Sequence, residues 1–187
     1  SPRLAVSGVH DDSLRLEESD EESLSGVVAT PGRKFGYRTA DFTASLNSRV
    51  AVGKFDDNSY DSNDPRAVLD LTKLTANNEF GMQAGLDRDS SRTSELLDTG
   101  RVTEKAVRRE DYWLRPRWLT KLNARNAMQL GGSLRSVDYG SDEFIDYDSE
   151  RVDLSWFHTL TPRTTWKLQA FYEAFDAERA RAYVQRI

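Results

Sequence analysis

The sequence predicts an all-β fold: an antiparallel up-and-down meander of about ten strands that forms a transmembrane β-barrel, closed or incomplete. The first observation behind this prediction is that apolar residues recur at every second position over most of the 187 residues. A pleated strand sorts such residues onto one face, whereas a helix would scatter them around its circumference. The second is that long polar connections alternate with short turns, as in barrels whose long loops lie outside the cell.

Period-two alternation defines the strands one after another. It is clearest at 42–52, where Phe42 and Leu46 face one way and Thr43 and Asn47 face the other. The predicted strands span 3–10, 23–32, 40–55, 66–74, 79–88, 109–121, 127–139, 149–160, 164–176 and 180–187. Because the pattern continues without a break in composition, the sequence predicts one domain, 1–187.

The connections fall into two classes. The long, charged ones are 11–22, 56–65, 89–108 and 141–148, and the short ones lie near 75–78, 122–126 and 161–163. The short turns share a similar sequence in which Leu74, Leu122 and Leu160 align, spaced 48 and 38 residues apart. A constant turn at varying spacing indicates repeated hairpins and not a solenoid of fixed period.

The tryptophans on the apolar face indicate what surrounds that face. Trp118, Trp156 and Trp166 lie close to short turns, and each falls on the apolar side of its strand. Because tryptophan prefers the membrane–water interface, we expect an interfacial girdle on the periplasmic side. The alternative is the aromatic core of a soluble β-sandwich. In a barrel, three leucines of this face should point outward: Leu130, Leu154 and Leu168.

The opposite face is polar, and in a barrel it would line the lumen. Both signs of charge occur there, so its side chains can pair across strands. Because an ordinary solvated sheet face would look the same, no selectivity filter is assigned. The predicted lumen-facing residues are Arg49, Asp70, Gln83, Asp87, Arg115, Arg117, Gln129, Arg135, Asp153, Lys167, Gln169 and Glu173.

The composition and the motifs argue against several classes of function. The net charge of −5 argues against nucleic acid as a partner, because a phosphate binder needs a basic stripe. The chain has no cysteine and only two histidines, so it offers no candidate triad, and we expect no enzyme, metal or cofactor. The acidic first connection lacks the spacing of a calcium loop and reads as solvated: Asp11, Asp12, Glu17, Glu18, Asp20, Glu21 and Glu22.

A series of motifs in a fixed order resembles one bacterial family. The motifs are Asp87-Arg-Asp-Ser-Ser-Arg-Thr-Ser-Glu-Leu-Leu-Asp-Thr-Gly-Arg101, Arg108-Arg-Glu110, Arg115-Pro-Arg-Trp118, the turn 122–126, Asp146-Tyr-Asp148 and Leu160-Thr-Pro-Arg163, preceded by His10-Asp-Asp12. From about residue 9 to 176 this order resembles the outer-membrane β-barrel proteins found with exopolysaccharide and PEP-CTERM/exosortase systems. The resemblance implies a bacterial outer-membrane location, lipid as a partner, and a role near polysaccharide export or surface assembly. It supplies no catalytic residues.

Two expectations concern completeness and the alternative function. Family members are longer, and the last residues, 183–187, lack a terminal aromatic, so we expect the N-terminal part of a longer barrel with open edges. If the ten strands instead close by themselves, Val6 and Gly8 should pair with 180–187.

The alternative function is a secreted, soluble β-sheet protein that binds glycans. A signal peptide together with a terminal aromatic strand in the complete gene would favour the membrane protein.

Overall fold

The computed structural model describes residues 1–11, 24–56, 58, 61–90, 107–141, 144–177 and 180–186. They form a single sheet of ten strands. The strands are β1 (Pro2–Asp11), β2 (Leu24–Arg38), β3 (Phe42–Phe55), β4 (Ser62–Leu74), β5 (Asn78–Ser90), β6 (Arg108–Lys121), β7 (Asn126–Tyr139), β8 (Tyr147–Thr161), β9 (Thr164–Ala177) and β10 (Ala180–Arg186). The backbone of β10 is described, but its side chains are not.

Each strand pairs with the next strand along the chain, and every pair is antiparallel. The predicted antiparallel meander is therefore confirmed. Val6 pairs with Ala29 and Gly8 with Val27, both on β2. Within the described part of the chain the order runs from β1 to β10 without closing, so the pairing of Val6 and Gly8 with 180–187, which the alternative of a closed barrel requires, is not found. That the chain is part of a longer barrel stays a prediction.

The largest error in the predicted boundaries is at β2, which ends at Arg38 and not at 32. Pro31 and Gly32, residue types that often end strands, lie inside this strand. In the structure Pro31 pairs with Leu4 of β1, and the ladder with β3 skips only Thr30 and Pro31 before it resumes at Gly32. Proline lacks the backbone N–H, so it removes a local rung while the pairs on both sides hold the strand in place.

The ladders stay in phase across the sheet, so directly opposite residues share a face. Only one register shift is seen in the described residues, between Thr159 and Thr161 at the end of β8. The polar face is the one that contains Asp70, opposite Ser45 on β3 and Gln83 on β5. The apolar face is the other one, and it contains Leu69, opposite Leu46 and Ala84.

The sheet buries little of its own apolar surface. Among the described residues only three hydrophobic side chains are buried, those of Val107, Val137 and Ala177. The chain exposes 13600 Å², whereas a globular protein of this mass exposes about 9100 Å². A single sheet layer explains this excess, because it has no second layer to pack against. The described residues contain no helix that is long and apolar enough to cross a membrane.

Candidate functional site

The register sorts the residues singled out in the sequence onto the two faces. All twelve predicted lumen-facing residues lie on the polar face, and all three predicted girdle tryptophans lie on the apolar face. Leu130 and Leu154 are directly opposite each other on the apolar face, and Leu168 is opposite Trp156 there. That the polar face lines a lumen, and that the tryptophans lie at a membrane interface, stay predictions.

The polar face carries a network of ion pairs at the end nearest the long connections. Asp111 of β6 accepts hydrogen bonds from Arg135 Nε at 2.9 Å and Nη2 at 2.6 Å. Arg109 reaches the same carboxylate at 3.3 Å and lies 3.8 Å from Asp89. Asp111 is buried, so the contacts it makes within β6 and with β7 are screened from water, and Arg109 extends the network to Asp89 of β5. Charge-assisted, bidentate ion pairs of this kind hold neighbouring strands in one register.

A second polar group lies closer to the short turns. Arg117 donates to Glu79 across the β5–β6 ladder. Gln83 donates to Asp70 at 2.9 Å and accepts a long hydrogen bond from Arg115 at 3.5 Å. Within the described residues Arg115 makes no ion pair, so its charge is not neutralised by a carboxylate.

Two adjacent concavities open on the polar face and share Asp70. The first, of about 360 Å³, includes Gln83, Arg115 and Asp153 in its lining. Its depth comes from glycine: a Cβ at Gly131 would lie 2.7 Å from an Asp153 carboxylate oxygen. The second, of about 370 Å³, is lined by Lys34, Ser45, Asn47, Arg49, Arg66, Val68 and Asp70. Both are open, and the second has a mainly polar lining, so it suits a hydrated ligand better than an apolar one.

Sequence analysis missed Trp113, the only tryptophan on the polar face. A Cβ at Gly85 would lie 2.1 Å from Trp113 Cζ2, so the indole lies against the backbone of β5, where glycine leaves room for it. The guanidinium of Arg66 lies 6.0 Å from the ring centroid. Tyr112 and Leu114 flank Trp113 in sequence, so the period-two signal was blurred. Strict counting of alternate positions would have placed Trp113 with Arg115.

Carboxylates gather at the end of β5 on the polar face. Burial raises the pKa of Asp89 to about 6; Arg109 opposes the rise, and the carboxylates of Asp87, Asp64 and Asp111 add to it. Burial, helped by Asp87, also raises the pKa of Asp64. Among the described residues no group of three or more His, Cys, Asp or Glu could hold a metal ion. The acidic first connection lies outside the described residues, except for the backbone of Asp11.

The apolar face places its aromatic rings near the short turns. Trp118 stacks on Phe80, with ring centroids 6.1 Å apart, and its indole N–H donates to Asn78 at the turn, at 3.1 Å. Near the β2–β3 turn, Tyr37 and Phe42 lie 6.2 Å apart. These rings extend the predicted tryptophan band along the same end of the sheet. In Trp118 an apolar ring body and a satisfied polar N–H lie side by side, as at an interface between oil and water.

Polar residues bound this apolar surface along each strand. On β6 it runs from Tyr112 to Trp118, with Glu110 beyond one end and Thr120 beyond the other. At about 3.3 Å per residue, the stretch is about 20 Å long. One charge interrupts the surface: Arg33 on β2, whose guanidinium lies 4.6 Å from the centroid of the Phe35 ring, toward the short turn. A long side chain can in this way carry its charge away from an apolar region.

The two histidines have simple polar neighbours. His10 Nδ1 lies 2.8 Å from Ser25 Oγ, and His158 Nδ1 lies 2.9 Å from Asn126 Oδ1. His158 also packs near Trp156, at 5.6 Å between ring centroids. Among the described residues, these contacts of His158 do not join a nucleophile, a base and an acid.

Comparisons of the chain with protein-family models, curated proteins and solved structures find no match. The class of protein is therefore defined by its fold: an all-β antiparallel meander whose single sheet has one polar and one apolar face.

Proposed function

We propose that this chain forms the wall of a bacterial outer-membrane β-barrel, porin-like or structural, that serves the export or surface assembly of an exopolysaccharide. The observation that carries the proposal is the two-faced sheet. One face is continuously apolar from β3 to β9, and no described residue covers it. Leu168 is 68 % exposed and Trp166 is 65 % exposed.

Lipid is the solvent that this arrangement suits best. An apolar band flanked by aromatic residues is the outer surface of membrane barrels, and the band on β6 has this arrangement, with Trp118 at its end near the short turn. The ladders inside the sheet pair most of the backbone N–H and C=O groups, which a membrane strand requires, and their two longest gaps lie at Pro31 and Pro116, which have no backbone N–H to satisfy. The link to polysaccharide rests on the resemblance of the sequence to the exopolysaccharide-associated barrels.

A soluble glycan-binding protein, the alternative, would need protein to cover the apolar face. Large exposed apolar patches on soluble proteins mark interfaces or cause aggregation. Nothing in the described residues provides such a cover, so we favour the membrane protein.

The depth of the four tryptophans tests the proposal. Four variants would each keep one tryptophan and replace the other three with phenylalanine, and each would be refolded with short-chain phosphatidylcholine vesicles containing brominated lipid. We expect bromine to quench Trp118, Trp156 and Trp166, and aqueous iodide to quench Trp113, the matched control on the polar face. Equal quenching of all four by iodide alone would overturn the membrane proposal and favour the soluble alternative.

A further inference from the structure

The strongest unexplained feature of the polar face is a pair of like charges. Arg49 of β3 lies directly opposite Arg66 of β4. Cross-strand partners on one face lie about 5 Å apart at Cβ, so two guanidiniums in these positions repel each other. Such a pair costs stability, and a bound anion would relieve that cost.

Only one member of this pair is neutralised. Arg66 turns to Asp87 of β5, at 3.1 Å. Arg49 forms no ion pair with any described residue. On its other side it faces Gly32 of β2, where a Cβ would lie 3.3 Å from the Cβ of Arg49. Glycine therefore leaves the flank of Arg49 open, and no neighbouring carboxylate fills it.

A second free cation lies in the same concavity. Lys34 stands two residues along β2 from Gly32 and lines the second concavity together with Arg49 and Arg66. The only carboxylate in that lining is Asp70, which already accepts a hydrogen bond from Gln83. Two cations of this lining, Lys34 and Arg49, have no carboxylate partner among the described residues, so the concavity attracts an anion.

The charge distribution over the sheet points the same way. On the polar face of β1–β9, the described side chains include twelve Lys and Arg against eight Asp and Glu, whereas the whole chain has a net charge of −5. On the apolar face the described side chains of the same strands balance, with five of each sign. The positive excess is therefore confined to the polar face.

An aromatic ring lies near this concavity, outside its lining. Trp113 lies against Gly85, which pairs with Val68 of the lining, and its ring is 6.0 Å from the Arg66 guanidinium. An indole face packs against the apolar C–H face of a sugar ring, while Asn47 and Ser45 of the lining can bond hydroxyls. One ligand class matches this set of cations, amide and hydroxyl groups and a flat ring: a sugar that bears a carboxylate.

We propose that Lys34, Arg49 and Arg66 form a subsite for the carboxylate of an acidic saccharide, with Trp113 stacking on the adjoining ring. This inference deepens the proposed function, on which it rests for the saccharide itself: it assigns the polymer to the acidic class. A guanidinium binds a carboxylate with two parallel hydrogen bonds, so Arg49 is the specificity-determining residue.

The test measures binding of trigalacturonate to the full chain, folded in detergent micelles, by calorimetry. We expect binding that weakens as salt is raised, and about a tenfold loss of affinity in Arg49→Gln. Arg33→Gln is the matched control, because it removes a cation from the apolar face of the neighbouring strand; it should leave the affinity unchanged. Arg49→Gln should also melt no earlier than wild type, since it relieves the repulsion from Arg66.

Further ligands separate a sugar site from a general anion site. Uncharged maltotriose should not bind, and inorganic phosphate should bind more weakly than trigalacturonate. Trp113→Leu should weaken trigalacturonate binding and leave phosphate binding unchanged. Absence of trigalacturonate binding, or equal losses in Arg49→Gln and Arg33→Gln, would overturn the subsite, and phosphate binding as tight as that of trigalacturonate would overturn its assignment to sugar. Because this assay uses micelles, binding without lipid quenching of the tryptophans would overturn the membrane proposal alone.

Discussion

The two faces of the sheet are built on the same ladders but hold their side chains in different ways. On the polar face, long charged side chains reach across strands and meet in pairs, as Arg135 and Arg109 do on Asp111. On the apolar face, the side chains between the charged ends make few polar contacts, and Leu154 and Leu168 stay exposed. Specific partners therefore order the polar face, whereas the order of the apolar face depends on the solvent that surrounds it. Four predictions test this difference, from the largest expected effect to the smallest.

The largest effect should come from a charge placed on the apolar face. Leu154→Arg should lower the free energy of folding into phosphatidylcholine vesicles by about 2–4 kcal/mol, because a cation near mid-bilayer loses its hydration. Gln169→Arg, one strand away on the polar face, is the control and should change little. Denaturant titration of both variants in lipid gives the measurement. Equal, small losses would show that the two faces meet the same solvent.

On the polar face, the largest loss should come from the shared carboxylate. Asp111→Asn should lower stability by about 1.5–3 kcal/mol, because it weakens two charge-assisted hydrogen bonds at a buried position. Asp41→Asn removes the exposed ion pair with Lys73, at 2.5 Å, and should have no measurable effect. Equilibrium unfolding in urea compares the two. A loss as large for Asp41→Asn would contradict the view that burial gives these pairs their strength.

The packing of Trp113 on Gly85 should give a smaller loss. Gly85→Ala should cost about 1–3 kcal/mol, because the new methyl would overlap the indole. Gly8→Ala is the matched control, since a Cβ at Gly8 meets nothing within 4 Å. In the background of Trp113→Leu the cost of Gly85→Ala should shrink, and a double-mutant cycle measures that coupling. An unchanged cost in this background would mean that the indole does not need the space.

The smallest effect should be a dependence of stability on pH from Asp89. This residue lies beyond the apolar band, since its neighbours in sequence are Arg88 and Ser90. Its pKa in the folded protein is raised from 3.8 to about 6, so the fold favours the protonated carboxyl. That contribution is complete below pH 3.8 and is lost as the pH rises through about 6. In Asp89→Asn the fall in stability between pH 5 and pH 7 should flatten; an unchanged profile would place the titrating group elsewhere.

The sequence by itself determined the strands and the face on which each predicted residue lies. Both follow from a local rule, because successive side chains in a strand point to opposite sides whatever the partner strand is. Arg49, Asp153 and Trp166 could therefore be sorted correctly without any knowledge of the pairing. The end of β2 was predicted wrongly, because pairing with strands on both sides carries β2 past Pro31 and Gly32 to Arg38.

Only the tertiary structure decided which side chains meet. Register depends on pairing between residues far apart in sequence, and shifting one strand by two residues would preserve both faces while changing every cross-strand neighbour. Alternation could not therefore reveal that Arg49 faces Arg66, or that Trp113 lies against Gly85. The sequence contains the two arginines and the tryptophan, but the antiparallel register brings them together. Main-chain hydrogen bonds between strands fix which residue lies opposite which.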